Sequence, residues 1–384
     1  MRITRKLVGV GVLALMTGCS TLSSLNPFGS KSKGNEPAKL VELKGTMAVR
    51  TAWKLDIGKA RGYQFSPALV GNTLIVAGGD GSIARVEAAD GRQLWRVKAG
   101  SDLTAGVGTD GNVIVVGAAD GVLMAFDMDG KALWKTQLSS EILSSPAVGQ
   151  GMVVARSIDN RIVGIDAATG QKKWTVQRTA PALTLRTAPG LSVYDKDVII
   201  AQPAGKLGAF LLATGAPRWE VEVGTARGAT ELERVTDLGG TPALFESDVC
   251  AVAYQGRVAC YDVTSGSPRW TRDLSSTVGV AVDQRFVFAA DDKGALNAFN
   301  RDGGASAWKN DKLAFRSLSA PVSYGRAVAV GDYQGYIHFL SREDGTFLAR
   351  AATDGSAISG TPLVAGSNLI FQTQNGTVTA IAVE

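Results

Sequence analysis

The chain has few of the residues on which enzymes most often rely. Among its 384 residues there is one histidine, His338, in the strand-like segment Tyr336-Ile337-His338-Phe339. A lone histidine in a strand is a packing or surface residue, so the sequence predicts neither a histidine-based metal site nor Ser-His-Asp catalysis. The sequence also lacks a glycine-rich phosphate loop of the dinucleotide or Walker type. We therefore predict no catalytic residue, no metal site and no cofactor.

The net charge of the chain is also small. The formal charge is +5, but three of the basic residues, Arg2, Arg5 and Lys6, belong to a removable leader. Without them, 37 basic residues stand against 35 acidic ones. A near-neutral domain offers no extended basic surface to DNA or RNA, so no nucleic-acid partner is predicted.

Beyond short strand-like segments, the chain has one apolar run, near its start. Residues 7–16 follow the basic leader residues and are too few to span a bilayer. Thr17 and Gly18 then precede Cys19. This pattern resembles a bacterial lipoprotein signal, in which the cysteine is lipidated and becomes the mature N-terminus. We expect residues 1–18 to be the signal peptide and Cys19 the lipidation site, the alternative being an ordinary secretory peptide with a chance cysteine.

The residues after Cys19, from Thr21 to about Pro37, are rich in Ser, Lys, Gly and Asn, a composition typical of a flexible tether. Ser20 stands where an Asp would suggest retention at the inner membrane, so by resemblance to bacterial sorting rules we expect anchoring at the periplasmic face of the outer membrane. Several acyl chains anchor a protein stably, because each buried CH2 contributes about 0.8 kcal/mol. We predict that residues 19–45 are the lipidated cysteine and a flexible tether, and that residues 46–384 form a single domain.

Tryptophan marks a repeat along that domain. Successive tryptophans are 42, 39, 40, 45, 51 and 38 residues apart, and most follow a turn such as Asp90-Gly91 by a short spacer. The last such turn, Asp344-Gly345, is followed by Ala349 in the place of the ring. A period near 40 that carries strand patterns rather than helix patterns is typical of a β-propeller. The tryptophans are Trp53, Trp95, Trp134, Trp174, Trp219, Trp270 and Trp308.

The number of blades follows from the outer strands, seven of which carry Trp and one Ala349. Each repeat contains four short strand-like segments, the usual number in a propeller blade. The chain ends after only three strands of the last repeat, so residues 49–57 are predicted to supply the fourth and close the ring. The predicted fold is all-β, an eight-bladed β-propeller of four-stranded antiparallel blades whose N-terminal strand closes the last blade.

Two intervals of the repeat, 45 and 51 residues, are longer than the others. The extra residues connect an outer strand to the next inner strand in two adjacent blades, so both loops should emerge on the same face of the ring. Long loops on a rigid scaffold often carry function, and exposed Leu and Arg are good anchors for a protein partner. The first loop contains Leu183, Leu185 and Arg186, and the second contains the segment 230–237. The alternative is that both leucines fold back on the propeller.

The leader, the tether, the propeller repeat and the two loop sequences together resemble the BamB family, periplasmic lipoproteins of the outer-membrane β-barrel assembly machinery. In that family a Leu-x-Leu-Arg stretch and an Asp-x-Asp stretch form the contact with BamA. Leu183, Leu185 and Arg186 match the first stretch. Asp237 matches the first acid of the second stretch, and Gly239 stands where the second acid would be.

The resemblance implies a non-enzymatic scaffold that binds the periplasmic domains of BamA and assists the folding and insertion of outer-membrane proteins. A further hypothesis is that unfolded outer-membrane proteins add strands to the blade edges. Two alternatives share the repeat. One is a PQQ-dependent dehydrogenase-like propeller, which would be larger and often has a pair of adjacent cysteines that this chain lacks. The other is a generic periplasmic interaction propeller.

Two cysteines, Cys250 and Cys260, flank a hairpin turn in the fifth repeat. A three-residue turn at Tyr254-Gln255-Gly256 would place them directly opposite each other, whereas a turn of two or four residues would place them on opposite faces of the sheet. The periplasm is oxidising, so a disulfide between them is possible there.

Overall fold

Short apolar segments separated by glycine-containing turns form every regular element of the structure. The computed structural model describes residues 35–179 and 181–383, and all of its regular elements in that part of the chain are β-strands. They belong to one compact unit, Pro37–Glu384. None of the described residues forms a helix long and apolar enough to cross a bilayer.

Eight separate four-stranded sheets make up the blades of the propeller, and the first four follow the chain in order. Blade 1 contains β2 (Ala68–Val70), β3 (Thr73–Ala77), β4 (Ser82–Glu87) and β5 (Gln93–Lys98). Blade 2 contains β6 (Leu103–Thr109), β7 (Val113–Ala118), β8 (Val122–Asp127) and β9 (Ala132–Gln137). Blade 3 contains β10 (Ala147–Gly149), β11 (Met152–Arg156), β12 (Arg161–Asp166) and β13 (Lys172–Gln177). Blade 4 contains β14 (Leu191–Tyr194), β15 (Asp197–Gln202), β16 (Lys206–Leu211) and β17 (Pro217–Glu222).

The remaining blades continue the same antiparallel order, except that the last one also takes the first strand of the chain. Blade 5 contains β18 (Leu238–Phe245), β19 (Asp248–Ala253), β20 (Arg257–Asp262) and β21 (Pro268–Asp273). Blade 6 contains β22 (Val280–Val282), β23 (Phe286–Ala290), β24 (Leu296–Asn300) and β25 (Ser306–Asn310). Blade 7 contains β26 (Val322–Tyr324), β27 (Ala327–Gly331), β28 (Tyr336–Ser341) and β29 (Phe347–Ala352). Blade 8 contains β30 (Leu363–Ala365), β31 (Asn368–Gln372), β32 (Thr377–Val383) and β1 (Val49–Asp56).

The ring is closed by the N-terminal strand, as the sequence predicted. Strand β1 pairs antiparallel with β32, and its register runs from Val49 opposite Val383 to Asp56 opposite Thr377. The eight-bladed all-β propeller is therefore confirmed. Because β1 and β32 come from the two ends of the domain, their hydrogen bonds hold together residues more than 300 positions apart in sequence.

Each tryptophan closes the seam between its own blade and the next. Its indole N–H donates to a backbone carbonyl of the following blade, and its ring covers the glycine of that blade's outer turn. At Gly91, for example, φ is +73°, and a Cβ atom would lie 2.6 Å from Cδ2 of Trp53. A hydrogen bond of this kind contributes about 0.5–1.5 kcal/mol. The donor–acceptor pairs are Trp53–Ala88 (3.0 Å), Trp95–Met128 (2.9 Å), Trp134–Ala167 (2.8 Å), Trp174–Leu212 (3.0 Å), Trp219–Val263 (3.0 Å), Trp270–Arg301 (2.5 Å) and Trp308–Arg342 (2.9 Å).

The eighth seam is built differently. Ala349 occupies the tryptophan position and is buried in the same apolar cluster as Met47. Blade 8 has no turn between its last two strands, since β32 and β1 come from opposite ends of the domain, so there is no turn glycine for an indole to cover. The N-terminal chain runs past this seam instead, and the backbone N–H of Thr46 donates to the carbonyl of Leu348 at 2.8 Å.

The compact unit includes a segment that precedes β1, since it begins at Pro37. The boundary at residue 45 between the tether and the propeller domain stays a prediction. Three arginine side chains hold this segment by donating to its backbone carbonyls. The pairs are Arg316–Ala38 (2.9 Å), Arg350–Val41 (3.1 Å) and Arg326–Thr46 (2.7 Å). The predicted signal peptide, Cys19 and the first part of the tether lie outside the described residues.

The lone histidine lies in a buried polar cluster of blade 7. His338 Nε2 is 2.9 Å from Oδ2 of Asp332, and Arg316 Nε donates to the same oxygen at 2.7 Å. All three side chains are almost completely buried. Burial alone would raise the pKa of Asp332, but the hydrogen bonds from His338 and Arg316 hold that pKa below its usual value.

Blade 5 contains the cysteine pair. The turn between β19 and β20 has three residues, 254–256, and Cys250 is directly opposite Cys260 in the register. The two side chains form a disulfide across the pair of strands, with the Cα atoms 4.1 Å apart. Both residues are buried in the apolar cluster that fills the space between blades 5 and 6.

Candidate partner-binding site

Two long connections meet on one face of the propeller. Residues 178–190 join blade 3 to blade 4, and residues 223–237 join blade 4 to blade 5. The backbone N–H of Leu185 in the first loop donates to Oδ2 of Asp237 in the second, at 2.5 Å and across 52 residues of sequence. The two loops therefore form one surface, which we call the long-loop face.

The two leucines of the first loop have different environments. The side chain of Leu183 is 47% exposed, so it projects from the loop. Leu185 is half-buried and lines a pocket beneath the loop. One leucine is thus available to a partner, while the other is partly folded back on the propeller.

Arg186 is exposed but already has an acidic neighbour. Its side chain is 62% exposed, and Nη2 donates to Oε1 of Glu141 at 2.7 Å. The hydrogen bond to Glu141 and its charge raise the pKa of Arg186. Glu141 belongs to the connection between blades 2 and 3, so Arg186 ties the long loop to a third inter-blade connection. An acid from a partner would have to share this guanidinium with Glu141 or displace it.

Asp237 is buried beneath the loops, where it binds two backbone N–H groups, and is not a surface residue. It is 3% exposed, and its second carboxylate oxygen accepts the backbone N–H of Ala204 at 3.0 Å. Burial raises the pKa of Asp237, although the two backbone hydrogen bonds and the charge of Arg156 oppose that rise.

The position of the second family acid has no room for a side chain. A Cβ atom added to Gly239 would lie 2.6 Å from the carbonyl carbon of Thr277 and 2.8 Å from the backbone nitrogen of Val278. The chain that leads into blade 6 therefore packs directly against Gly239. This close approach explains why glycine stands there.

The second loop ends in a short turn that is capped by its own side chains. Thr230 Oγ1 accepts the N–H of Glu233 at 3.3 Å, and the carboxylate of Glu233 accepts the N–H of Thr230 at 3.0 Å. This reciprocal arrangement is a capping box, which fixes the start of a helical turn. The turn presents Leu232, which is 73% exposed. Sequence analysis did not single out this leucine.

A pocket of about 290 Å³ lies beneath the first loop. Leu185 forms part of its wall, and Arg156, from the end of β11, contributes a buried guanidinium. Burial lowers the pKa of Arg156 to about 10, and the nearby charge of Asp237 works in the opposite direction. Sequence analysis did not identify Arg156, which ends strand β11, or Glu141, which lies between blades 2 and 3, because neither belongs to the two long loops. The other residues that line the pocket are Leu143, Ser144, Ser157, Ile158, Thr184, Arg186, Thr187, Pro189, Pro203 and Asp237.

No group of three or more His, Cys, Asp or Glu side chains in residues 35–179 and 181–383 is arranged to hold a metal ion.

Known proteins resemble the chain at two levels. A quinohemoprotein alcohol dehydrogenase from Comamonas testosteroni superimposes with a TM-score of 0.67 over 90% of this chain and 78% of that one, but with 13% sequence identity. That likeness shows the fold alone. The crystal structure of BamB from Moraxella catarrhalis superimposes with a TM-score of 0.80 and 28% identity, and covers 87% of this chain and 100% of that one.

The sequence comparisons are more specific. The family model described as "Outer membrane protein assembly factor BamB" matches residues 79–310. The outer membrane protein assembly factor BamB of Burkholderia pseudomallei (strain K96243) is 43% identical over 350 residues, which are 91% of this chain and 92% of the relative. On the sequence, the propeller and these similarities, the chain belongs to the family of outer membrane protein assembly factor BamB.

Proposed function

We propose that this protein is a non-enzymatic scaffold of the outer-membrane β-barrel assembly machinery, which assists the folding and insertion of outer-membrane proteins. Membership of the BamB family supports this role over the PQQ-dependent dehydrogenase and the generic interaction propeller. The observation that carries it is the hydrogen bond between Leu185 and Asp237, because it joins the two long loops into one surface. That surface presents Leu183, Arg186 and Leu232 to solvent.

The proposed partner is the periplasmic part of BamA, and Cys19 is the proposed lipid anchor at the periplasmic face of the outer membrane. Leu183 would enter an apolar depression of the partner. Arg186 would bind a partner acid while keeping or exchanging its contact with Glu141. Asp237 and Leu185 would hold the loop in its binding conformation, which lowers the entropy cost of docking.

Charge reversal at Arg186 tests this function. We expect Arg186→Glu to abolish co-purification with BamA from solubilised outer membranes, because the substituted carboxylate would repel both Glu141 and an acid of the partner. The matched control is Arg92→Glu in the outer turn of blade 1, on the opposite face. Arg92 is 64% exposed and also paired with a glutamate, Glu87. Equal recovery of BamA with Arg186→Glu and with the control would contradict the proposed site.

The blade edges give a second proposed contact, with unfolded outer-membrane proteins. The outer strand β29 of blade 7 already accepts backbone hydrogen bonds from Thr46 and Met47, so a passing extended segment is compatible with an outer edge of this propeller. A photo-crosslinker placed on an outer strand such as β13 should capture unfolded barrel protein. The same crosslinker in the outer turn at Arg92 should not capture it, and equal labelling at the two positions would argue against edge addition.

A further inference from the structure

The pocket beneath the first long loop contains a buried guanidinium, that of Arg156, with one donor left unused. Arg156 is 8% exposed, and its Nε finds no acceptor among the described residues. No hydrogen bond joins Arg156 to Asp237 in the described part of the chain, and the two carboxylate oxygens of Asp237 accept the backbone N–H groups of Leu185 and Ala204. The charge of Asp237 therefore acts on Arg156 without a direct contact. A buried donor that lacks an acceptor loses its hydration without compensation, so such groups are rare unless they serve a purpose.

A second unpaired polar atom lies in the same pocket. The hydroxyl oxygen of Thr187 is buried and has no hydrogen-bond partner in the described part of the chain. Thr187 directly follows Arg186, and both residues line the pocket. Beside the carboxylate of Asp237, whose oxygens accept backbone N–H groups, the pocket thus brings together one guanidinium and one hydroxyl. Both are hydrogen-bond donors suited to an oxygen acceptor.

The size and the walls of the pocket restrict what it can receive. Its volume of about 290 Å³ is at or below the lower limit of the roughly 300–1,000 Å³ found in small-molecule sites. Leu143, Leu185 and Ile158 supply apolar walls, and the side chain of Ile158 is 46% exposed at the rim. Such a pocket suits one side chain that has a short aliphatic stem and a polar group at its end.

We infer that this pocket receives an acidic side chain, Asp or Glu, of the protein that docks on the long-loop face, and that Arg156 and Thr187 bind its carboxylate. The inference rests on the proposed function, since it assigns the chemistry of one subsite within the proposed docking surface. Arg186 at the rim places a second positive charge on the path into the pocket. The charge of both arginines is complementary to an acid, and guanidinium binds carboxylate with strong, directional hydrogen bonds.

The test measures the affinity of the full-length protein in detergent for the soluble periplasmic domains of BamA. Arg156→Met should weaken binding about 10- to 100-fold, because a charge-assisted hydrogen bond is lost. Thr187→Val should weaken it about 3- to 10-fold through the loss of a neutral hydrogen bond. Thr379→Val is the matched control. The hydroxyl of Thr379 is also buried and has no hydrogen-bond partner within residues 35–179 and 181–383, but it lies in β32 of blade 8. The Thr379→Val protein should therefore bind with the affinity of the parent.

A second measurement separates contact from support. Each Asp and Glu of the BamA domains is changed to Asn or Gln. One of these changes should reproduce the loss caused by Arg156→Met in the parent and cause no further loss in the Arg156→Met protein. If Arg156→Met does not fold, Thr187→Val is used in the same cycle. Finding no partner acid that is coupled in this way overturns the inference.

The same experiment keeps the inference apart from the proposed function. If Arg186→Glu loses the partner while Arg156→Met and Thr187→Val bind like the parent, the subsite is wrong and the docking surface stands. If Arg186→Glu also binds like the parent, the proposed docking surface fails and the subsite fails with it.

Discussion

Two buried clusters on the same face of the propeller each contain an arginine and an aspartate, but their hydrogen bonding differs. In blade 7, Arg316 donates to Asp332 at 2.7 Å, to Gln334 at 2.6 Å and to the backbone of Ala38 at 2.9 Å. Under the long loops, Arg156 leaves its Nε without an acceptor among the described residues. The first cluster satisfies its charges internally, and the second does not.

The pKa values of the two aspartates follow the same division. The hydrogen bonds from His338 and Arg316 outweigh burial and lower the pKa of Asp332, whereas burial dominates and raises that of Asp237. A buried polar cluster with all its hydrogen bonds formed adds rigidity to a fold, while an incompletely satisfied one is costly to maintain. The comparison shows that blade 7 uses its polar cluster to hold the N-terminal segment, whereas the pocket under the long loops has unused donors among the described residues, as the proposed acid subsite requires.

Removal of the arginine from each cluster should give the largest expected effect, a difference between the two losses of unfolding free energy. Arg316→Met leaves Asp332 buried without its main cation, and breaking a buried pair in this way costs about 3–5 kcal/mol of unfolding free energy. Arg156→Met removes a group that has no ion-pair partner in contact among the described residues, so its cost should be about 1 kcal/mol or less. Denaturant unfolding of both variants measures the difference. Equal losses would show that the two clusters are equally structural.

The disulfide of blade 5 allows stability and binding to be separated. Its cysteines are 10 residues apart, and a closed loop of that length stabilises a fold by about 2–3 kcal/mol in the chain-entropy model. Reduction should therefore lower the unfolding free energy by that amount and leave the affinity for the partner unchanged, because the bond lies in the blade core. Unfolding and binding measured with and without reductant test this. Two free thiols in denatured, unreduced protein would contradict the pairing.

The smallest expected effect is a pH dependence of the long-loop face. The pKa of Asp237 is higher in the folded than in the unfolded protein. As the pH rises through the interval between these two pKa values, ionisation of Asp237 therefore favours unfolding. Relative to Asp237→Asn, the parent should gain unfolding free energy as the pH falls from neutral toward the usual carboxylate pKa of about 4. Denaturant unfolding at several pH values measures this trend. If the parent instead lost unfolding free energy relative to Asp237→Asn as the pH fell, the direction assigned to the pKa of Asp237 would be wrong.

The repeat made the ring predictable, and one of its seams shows where the pattern ends. The tryptophan spacing predicted eight outer strands and a closing strand near residues 49–57, and β1 occupies Val49–Asp56. Ala349 was visible as a missing tryptophan, but the sequence did not show that Met47 and the N-terminal segment fill that seam. Nor did the sequence show the contacts of residues 38–41, because a segment without strand periodicity can still be held by distant arginine side chains.

At the candidate site, the sequence identified the loops but not the residues beneath them. Leu183, Leu185, Arg186 and Asp237 stood out because loop length and residue type are local features. Glu141 lies 45 residues from Arg186, and no sequence pattern connects the two. Likewise, the turn length that joins Cys250 to Cys260 was one of several open possibilities until the register was seen.

The amino-acid sequence by itself determined the kind of fold, the number of blades and the places where the loops are long, because strands, turns and their period depend on near neighbours. Only the tertiary structure decided which side chains meet across blades. It buried Asp237, paired Arg186 with Glu141, left no space beside Gly239, and placed Arg156 beside Thr187 in one pocket. The physical reason is that charge pairing, burial and close packing depend on distances between atoms that are far apart along the chain.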